Sequence, residues 1–209
     1  MTPPVDNGYI LTKWAAERLV ARVAEHYGIP AIIARPGNIT GSTRTGYTNY
    51  ASNHFWLFNK GCLQLGHFPD VPAVVEMMPV DILARAIAAL SLTATDGLFV
   101  ANLANPARIS QHRFFELLAA AGSTAKPQAV PDWQREVAAV GEDNGLSTIK
   151  DFYLGELAAE DPDIVQAATL ARLGDLGVPF EADCAGLVPT YVKYLSAEGF
   201  LPETGAVRA

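Results

Sequence analysis

Cysteine is scarce in this 209-residue chain: Cys62 and Cys184 lie far apart, and only His67 falls near the first. That spacing argues against a disulfide framework or a zinc cluster and suits reduced thiols in a core. Long hydrophobic runs are missing too. No stretch approaches the ~18 apolar residues a membrane span needs, and Met1-Thr2-Pro3-Pro4-Val5-Asp6 lacks the basic and apolar regions of a signal peptide. The expectation is a cytoplasmic protein with no membrane partner. Positive charge is short as well, with 15 Lys and Arg against 22 Asp and Glu, a formal charge of −7 and a pI near 5.0. Without a basic run or stripe, nucleic acid is a disfavoured partner. Most telling, neither G-x-G-x-x-G nor G-x-x-G-x-x-G occurs, so the strand–turn–helix that receives a pyrophosphate is not encoded here.

What is present suits a soluble globular chain, 50% hydrophobic and 18% charged. A helical apolar spacing at Trp14, Ala15, Leu19, Val20 and Val23, with Gly28 and Pro30 beyond, predicts a helix from about Gly8 to His26. Ala31-Ile32-Ile33-Ala34-Arg35 follows as a short buried parallel strand, so the pair forms half of a βαβ unit. Further strands are expected at Val74 to Met78 and Leu98 to Asn102, with a brief one at Ala129-Val130. Helices are expected over Tyr50 to Leu65, interrupted near Gly61, after Pro79, and after an N-cap at Ser110. Further helices are expected over Asp132 to Val140, Thr148 to Ala159, Ile164 to Leu176 and Asp183 to Glu198, the last kinked or divided by Pro189. Gly66 to Ala73, with two prolines, reads as a turn region. The division is a parallel-sheet portion over 1–105 and a mostly helical part over 106–209. Two or three strands do not make an open sheet that closes its own edges, which points to the C-terminal half of a larger α/β domain.

The chemistry concentrates in two places. Tyr9 and Lys13, four residues apart, share one helix face, where a cation favours the phenolate and eases proton donation to a carbonyl oxygen. By itself that pair is weak evidence, since it arises by chance in roughly one such chain in six. The second place is the loop after the first strand, Pro36-Gly37-Asn38-Ile39-Thr40-Gly41 through Asn49, because ligands in open α/β sheets meet the carboxyl ends of strands. Asp81 reads as a first-turn anion that could also order that loop. Glu17, one turn after Lys13, reads as solvated or paired with it. His26, His54, His67 and His112 are scattered and read as surface or capping residues rather than bases or ligands, and the aromatics of 50–65 as packing.

These residues resemble a family. Gly8-Tyr9 to Glu17, Arg35-Pro36-Gly37-Asn38-Ile39-Thr40-Gly41 with Thr45-Gly46 and Asn49, Lys60 to Gly66, Met77-Met78-Pro79-Val80-Asp81, Gly141 to Asn144, Tyr191 to Leu195 and Gly199-Phe200-Leu201-Pro202 run in order. They are similar to the later half of the thioester reductase domains of nonribosomal peptide synthetases, α-aminoadipate reductases and carboxylic acid reductases. Those domains belong to the extended short-chain dehydrogenase/reductase superfamily. The resemblance implies a partial Rossmann-like parallel sheet, without its nucleotide-binding half, and a mostly helical substrate- and carrier-binding subdomain. It implies NADPH as cofactor, Tyr9 as proton donor, and Lys13 as its tuning cation and holder of the nicotinamide ribose. Pro36, Gly37, Asn38 and Ile39 would line the nicotinamide, and Thr40, Thr45, Gly46 and Asn49 would meet the phosphopantetheine arm and acyl group. The third catalytic Ser or Thr has no counterpart here. The implied partners are an acyl- or peptidyl-carrier protein bearing a phosphopantetheine thioester and the missing N-terminal half of the same domain.

The implied reaction releases the acyl group as an aldehyde, or as an alcohol after a second round. A competing reading is a carrier-protein docking module without chemistry, favoured by the lack of a phosphate loop. A third is a sugar-nucleotide epimerase or dehydratase, which shares the Tyr and Lys but not the C-terminal tail.

Overall fold

The computed structural model describes residues 8–93, 97–157 and 164–202. The chain forms two compact units, each woven from three segments: Met1–Gly37, Ile82–Ala104 and Ile164–Phe180 in the first, Asn38–Asp81, Asn105–Asp163 and Glu181–Ala209 in the second.

The first unit starts with α1 (Gly8–Tyr27), which Gly28 ends in the left-handed region at φ +64°, where Ile29 N–H reaches back to Ala24 O at 3.0 Å. Strand β1 (Ala31–Pro36) pairs in parallel with β4 (Leu98–Leu103), register Ala31↔Leu98 to Pro36↔Leu103. β1 is half-buried to exposed rather than fully buried, since β4 is its one paired neighbour among the described residues. α3 (Val80–Leu92), all but its first two residues in this unit, buries Ala86 and Leu90. α6 (Ala167–Asp175) is tied back by Arg172, which donates to Thr93 O at 3.0 Å and stacks its guanidinium 4.7 Å from the Phe99 ring.

In the second unit α2 (His54–Leu65) is capped by Asn53, whose side chain accepts from Trp56 N–H, and Gly66 closes it at φ +73°. The helix runs unbroken through Gly61. A Cβ there would lie 2.4 Å from Leu146 Cγ, so this glycine permits a close approach rather than interrupting the helix. The 66–73 segment is not only turn: β2 (His67–Pro69) pairs in parallel with β6 (Lys126–Gln128). The expected strand at Ala129-Val130 is thus displaced. Val130 instead begins α5 (Val130–Ala138), because Pro131 in its first turn pre-sets a helical φ. β3 (Val74–Glu76) pairs antiparallel with β5 (Arg108–Ser110), and Ser110 caps α4 (Gln111–Ala120) by accepting from Arg113 N–H. The helix expected over Thr148 to Ala159 shrinks to a 3-10 turn, Lys150–Phe152, with Gln134 Nε2 donating to Tyr153 O and Gly155 O beyond it. Positions 158 and 159 lie outside the described residues. α7 (Cys184–Ala197) is capped by Asp183 and contains Pro189 without being divided.

This unit holds a dense aromatic core. Phe68 and Phe115 stack at 4.1 Å, Trp56 meets Tyr191 edge-on at 5.5 Å, and Trp133 and Phe114 are fully buried. Cys62 is sealed within it, and burial pushes its thiol well above the ordinary range; Cys184 is buried, unpaired and raised for the same chief reason. Among the described residues no helix is long and apolar enough to cross a membrane.

Candidate active site

α1 carries the first group of candidate residues. With i, i+4 spacing the Lys13 ammonium sits 5.5 Å from the centroid of the Tyr9 ring. Both residues are exposed, Tyr9 by 71%, so the phenol is open to a ligand. Glu17 takes no part in that pair. It forms a two-pronged ion pair with Arg35 of β1, one prong 2.8 Å long, which holds its carboxyl below the usual range and leaves the Lys13 ammonium to the tyrosine ring. This pair also pins α1 to the C-terminal end of β1, where Pro36 is exposed and Gly37 donates its N–H to Leu103 O at 3.1 Å.

The second group opens the second unit. Asn38 N–H donates to Glu76 Oε2 at 2.6 Å, Met78 N–H donates to Asn38 O at 2.8 Å, and Ile39 forms a parallel bridge with Met78. The backbone here is spent internally, and what Asn38 and Ile39 offer outward is exposed side chain. Glu76 is the residue that sequence reasoning missed. Only 8% exposed, it accepts from Asn38 N–H and, through Oε1, from Asn105 N–H at 2.6 Å. Burial raises its pKa, while the two amides that bond its charged form oppose the rise. An acid at the end of a strand pattern otherwise read as apolar was the available signal.

Thr40 and Gly46 lie together against α7. The hydroxyls of Thr40 and Tyr191 are 3.0 Å apart, and Tyr191 O–H is within 3.0 Å of Gly41 O. Gly46, at φ +72°, passes so close to α7 that a Cβ would lie 2.4 Å from Thr190 O. Residues 42–47 close on themselves through Ser42 N–H to Tyr47 O at 2.9 Å and Gly46 N–H to Ser42 O at 3.0 Å. Asp81 locks this loop: its carboxylate accepts from Thr43 N–H at 3.1 Å and from Thr43 Oγ1–H at 2.6 Å. Asp81 therefore orders the loop as well as opening a helix. Thr45 and Asn49 make local bonds: Thr45 N–H donates to Ser42 Oγ and its hydroxyl accepts from Tyr47 N–H, and Asn49 Nδ2 donates to Ser52 Oγ. Both are exposed, whereas Thr40 and Gly46 are buried.

Three of the four histidines are engaged elsewhere. His67 faces Glu136 and His112 faces Asp70, each at 3.1 Å, while burial lowers the pKa of His54, which stacks on Tyr153. The donor set on α1 fits the ribose end of a nicotinamide cofactor. An exposed ammonium can bond vicinal hydroxyls, and an exposed phenol beside it can face a carbonyl oxygen.

Comparison with known proteins adds a lineage. The male sterility protein family model, an NAD-binding one, matches residues 2–87. The L-2-aminoadipate reductase large subunit of Eremothecium gossypii is 30% identical over 209 residues, covering 94% of this chain and 15% of that protein. The Saccharomyces cerevisiae L-2-aminoadipate reductase is 31% identical, with the same 94% and 15% coverage. Among solved structures, the terminal R domain of the myxalamid PKS-NRPS pathway superposes with a TM-score of 0.82 at 30% identity, covering 95% of this chain and 52% of that one. A thiolation-reductase di-domain of an archaeal nonribosomal peptide synthetase shares the fold, with a TM-score of 0.74 at 23% identity over 94% and 42% of the two chains. The chain thus spans about half the length of the solved R domain and a much smaller share of the aminoadipate reductases. Its architecture is Rossmann-like α/β.

Proposed function

Since this chain belongs to the reductase-domain family shared by L-2-aminoadipate reductases and the terminal R domains of peptide synthetases, we propose that it forms part of an NADPH-dependent thioester reductase. In this reading it reductively releases an acyl or peptidyl group from a carrier protein as an aldehyde. The observation that carries it is the exposed Lys13 ammonium 5.5 Å from the Tyr9 ring, in a chain related to aminoadipate reductases over 94% of its length.

Each residue then has a task. When bound, the cofactor supplies a hydride to the thioester carbonyl carbon. Tyr9 donates its phenolic proton to the carbonyl oxygen as charge builds there, and the Lys13 ammonium stabilises the phenolate left behind. The carbon–sulfur bond of the resulting hemithioacetal breaks as its hydroxyl proton passes to the departing sulfur, the aldehyde and the carrier thiol separate, and the Tyr9 phenolate regains a proton from solvent. Lys13 would also hold the ribose hydroxyls, while Pro36, Gly37, Asn38 and Ile39 would line the nicotinamide. The loop carrying Thr40, Thr45, Gly46 and Asn49 would receive the phosphopantetheine arm, held in shape by Asp81 and Tyr191. Residues 1–105 would serve as the later part of the catalytic domain, and 106–209 as the substrate- and carrier-binding part.

The test is Tyr9→Phe in a protein carrying the complete reductase domain, assayed for oxidation of NADPH and of NADH with a carrier-bound thioester. The expected result is a loss of at least about 100-fold in kcat with NADPH, with folding intact. Turnover like that of the wild type would remove Tyr9 from the mechanism.

A further inference from the structure

A cavity of about 350 Å³ lies wholly within the second unit, and the proposed reduction makes no use of it. Its size is that of a small-molecule site. One wall is the stiff segment after β2, where Val71 N–H bonds Pro69 O at 3.0 Å and Ala73 N–H bonds Val71 O at 2.7 Å. Gln111, buried at the start of α4, is joined to that wall: its N–H donates to Ala73 O at 2.9 Å.

The opposite wall is aromatic. Phe58 packs 4.8 Å from Tyr153, and Phe152, although 66% exposed, is met edge-on by His54 at 5.1 Å. Tyr153 O–H lies 3.3 Å from His54 Nδ1, and Gln134 Nε2 holds the carbonyls of Tyr153 and Gly155 at 2.8 and 2.7 Å. Both walls are therefore fixed before any ligand arrives.

The charge of the lining is one-sided. Among the described residues that line it, Leu157 and its neighbours supply apolar surface, Gln111 an amide and Tyr153 a phenol; Glu156 supplies the one charged group, and no lysine, arginine or histidine contributes. Among these residues an anionic ligand would meet a carboxylate and no cation, in a protein of net charge −7. We propose that this cavity binds a small apolar organic cation, a ring or short alkyl chain ending in a protonated amine, with Glu156 as its counter-ion. The ring lies against Phe58, Phe152 and Tyr153, whose faces favour a cation as well as apolar contact.

The experiment titrates the isotope-labelled full chain with 2-phenylethylamine, 2-phenylethanol and 3-phenylpropionate, following backbone amide shifts. Saturable shifts at Val71, Gln111, Tyr153 and Glu156 are expected with the amine, at least fivefold weaker affinity for the alcohol, and none for the carboxylate. Glu156→Gln should bring the amine down to the alcohol's affinity and leave the alcohol unchanged. Glu156→Lys should reverse the preference toward the carboxylate. Equal affinity for amine and alcohol, shifts confined to other residues, or indifference to Glu156→Gln would overturn the proposal. Neither cofactor nor thioester enters this measurement, so its outcome is independent of the reductase reading.

Discussion

The two units hold their candidate residues in different ways. In the first, Tyr9 and Lys13 ride on a 20-residue helix that buries only Ala24, and Leu19, Val20, Val23 and Ile29 line an open apolar groove of about 270 Å³. That helix is fixed mainly by the Glu17–Arg35 pair and its contacts with β1 and β4. In the second, the loop bearing Thr40 and Gly46 rests on α7, in a unit whose buried core includes Trp56, Phe114, Phe115, Trp133 and Tyr191. The Tyr9–Lys13 pair is exposed on a helix that buries little of its own surface. The loop is tied down by hydrogen bonds to the buried Tyr191 and the half-buried Asp81.

Substitutions can break or sharpen this contrast. The largest change expected is from Trp133→Ala in the second unit, where a fully buried ring is removed, at a cost of about 3–5 kcal/mol in urea or thermal unfolding. A cost below about 1 kcal/mol would show that the aromatic core is not what holds this unit. Next comes Asp81→Ala, which strips two hydrogen bonds from Thr43 and should cost about 1–3 kcal/mol. Hydrogen exchange should accelerate at the Thr43 and Gly46 amides while the α4 amides stay protected. Uniform acceleration would instead mean that the loop has no local support of its own.

Glu76 gives a smaller, pH-dependent effect. Its folded pKa is raised above 4.5, chiefly by burial, so the stability it contributes is full below that value and is lost as pH rises through the folded pKa. The stability advantage of the wild type over Glu76→Gln should therefore shrink across this window. An advantage that grows with pH would show that the amides of Asn38 and Asn105 outweigh burial. The smallest change expected is from Leu19→Ser on α1. Because Leu19 is 64% exposed, the substitution should alter stability by no more than about 0.5 kcal/mol.

Much of the fold was legible because it rests on local pattern. The 3.6-residue spacing of α1, the short apolar runs at Ala31 and Leu98, and the cap at Ser110 all appear where periodicity and capping chemistry set them. Where reading failed, distant residues decided. His67-Phe68-Pro69 and Lys126-Pro127-Gln128 carry prolines and polar groups that disguise strands, and they pair only because the fold brings them side by side. Thr148 to Ala159 has an acceptable helical composition. Its described part runs into Gly155 and into carbonyls already taken by Gln134, and makes one short 3-10 turn.

The site divides along the same line. By itself the sequence determined the Tyr9–Lys13 pairing, since four residues on a helix fix a distance without help from the rest of the chain. Only the tertiary structure decided that Glu17 would join Arg35 rather than Lys13, and that Glu76 would hold Asn38. The same is true of the loop clasped by Asp81 and Tyr191. Those partners stand 18 to 150 positions apart, and a hydrogen bond across such a span is set by which backbones the core brings within 3 Å, a quantity no local spacing contains.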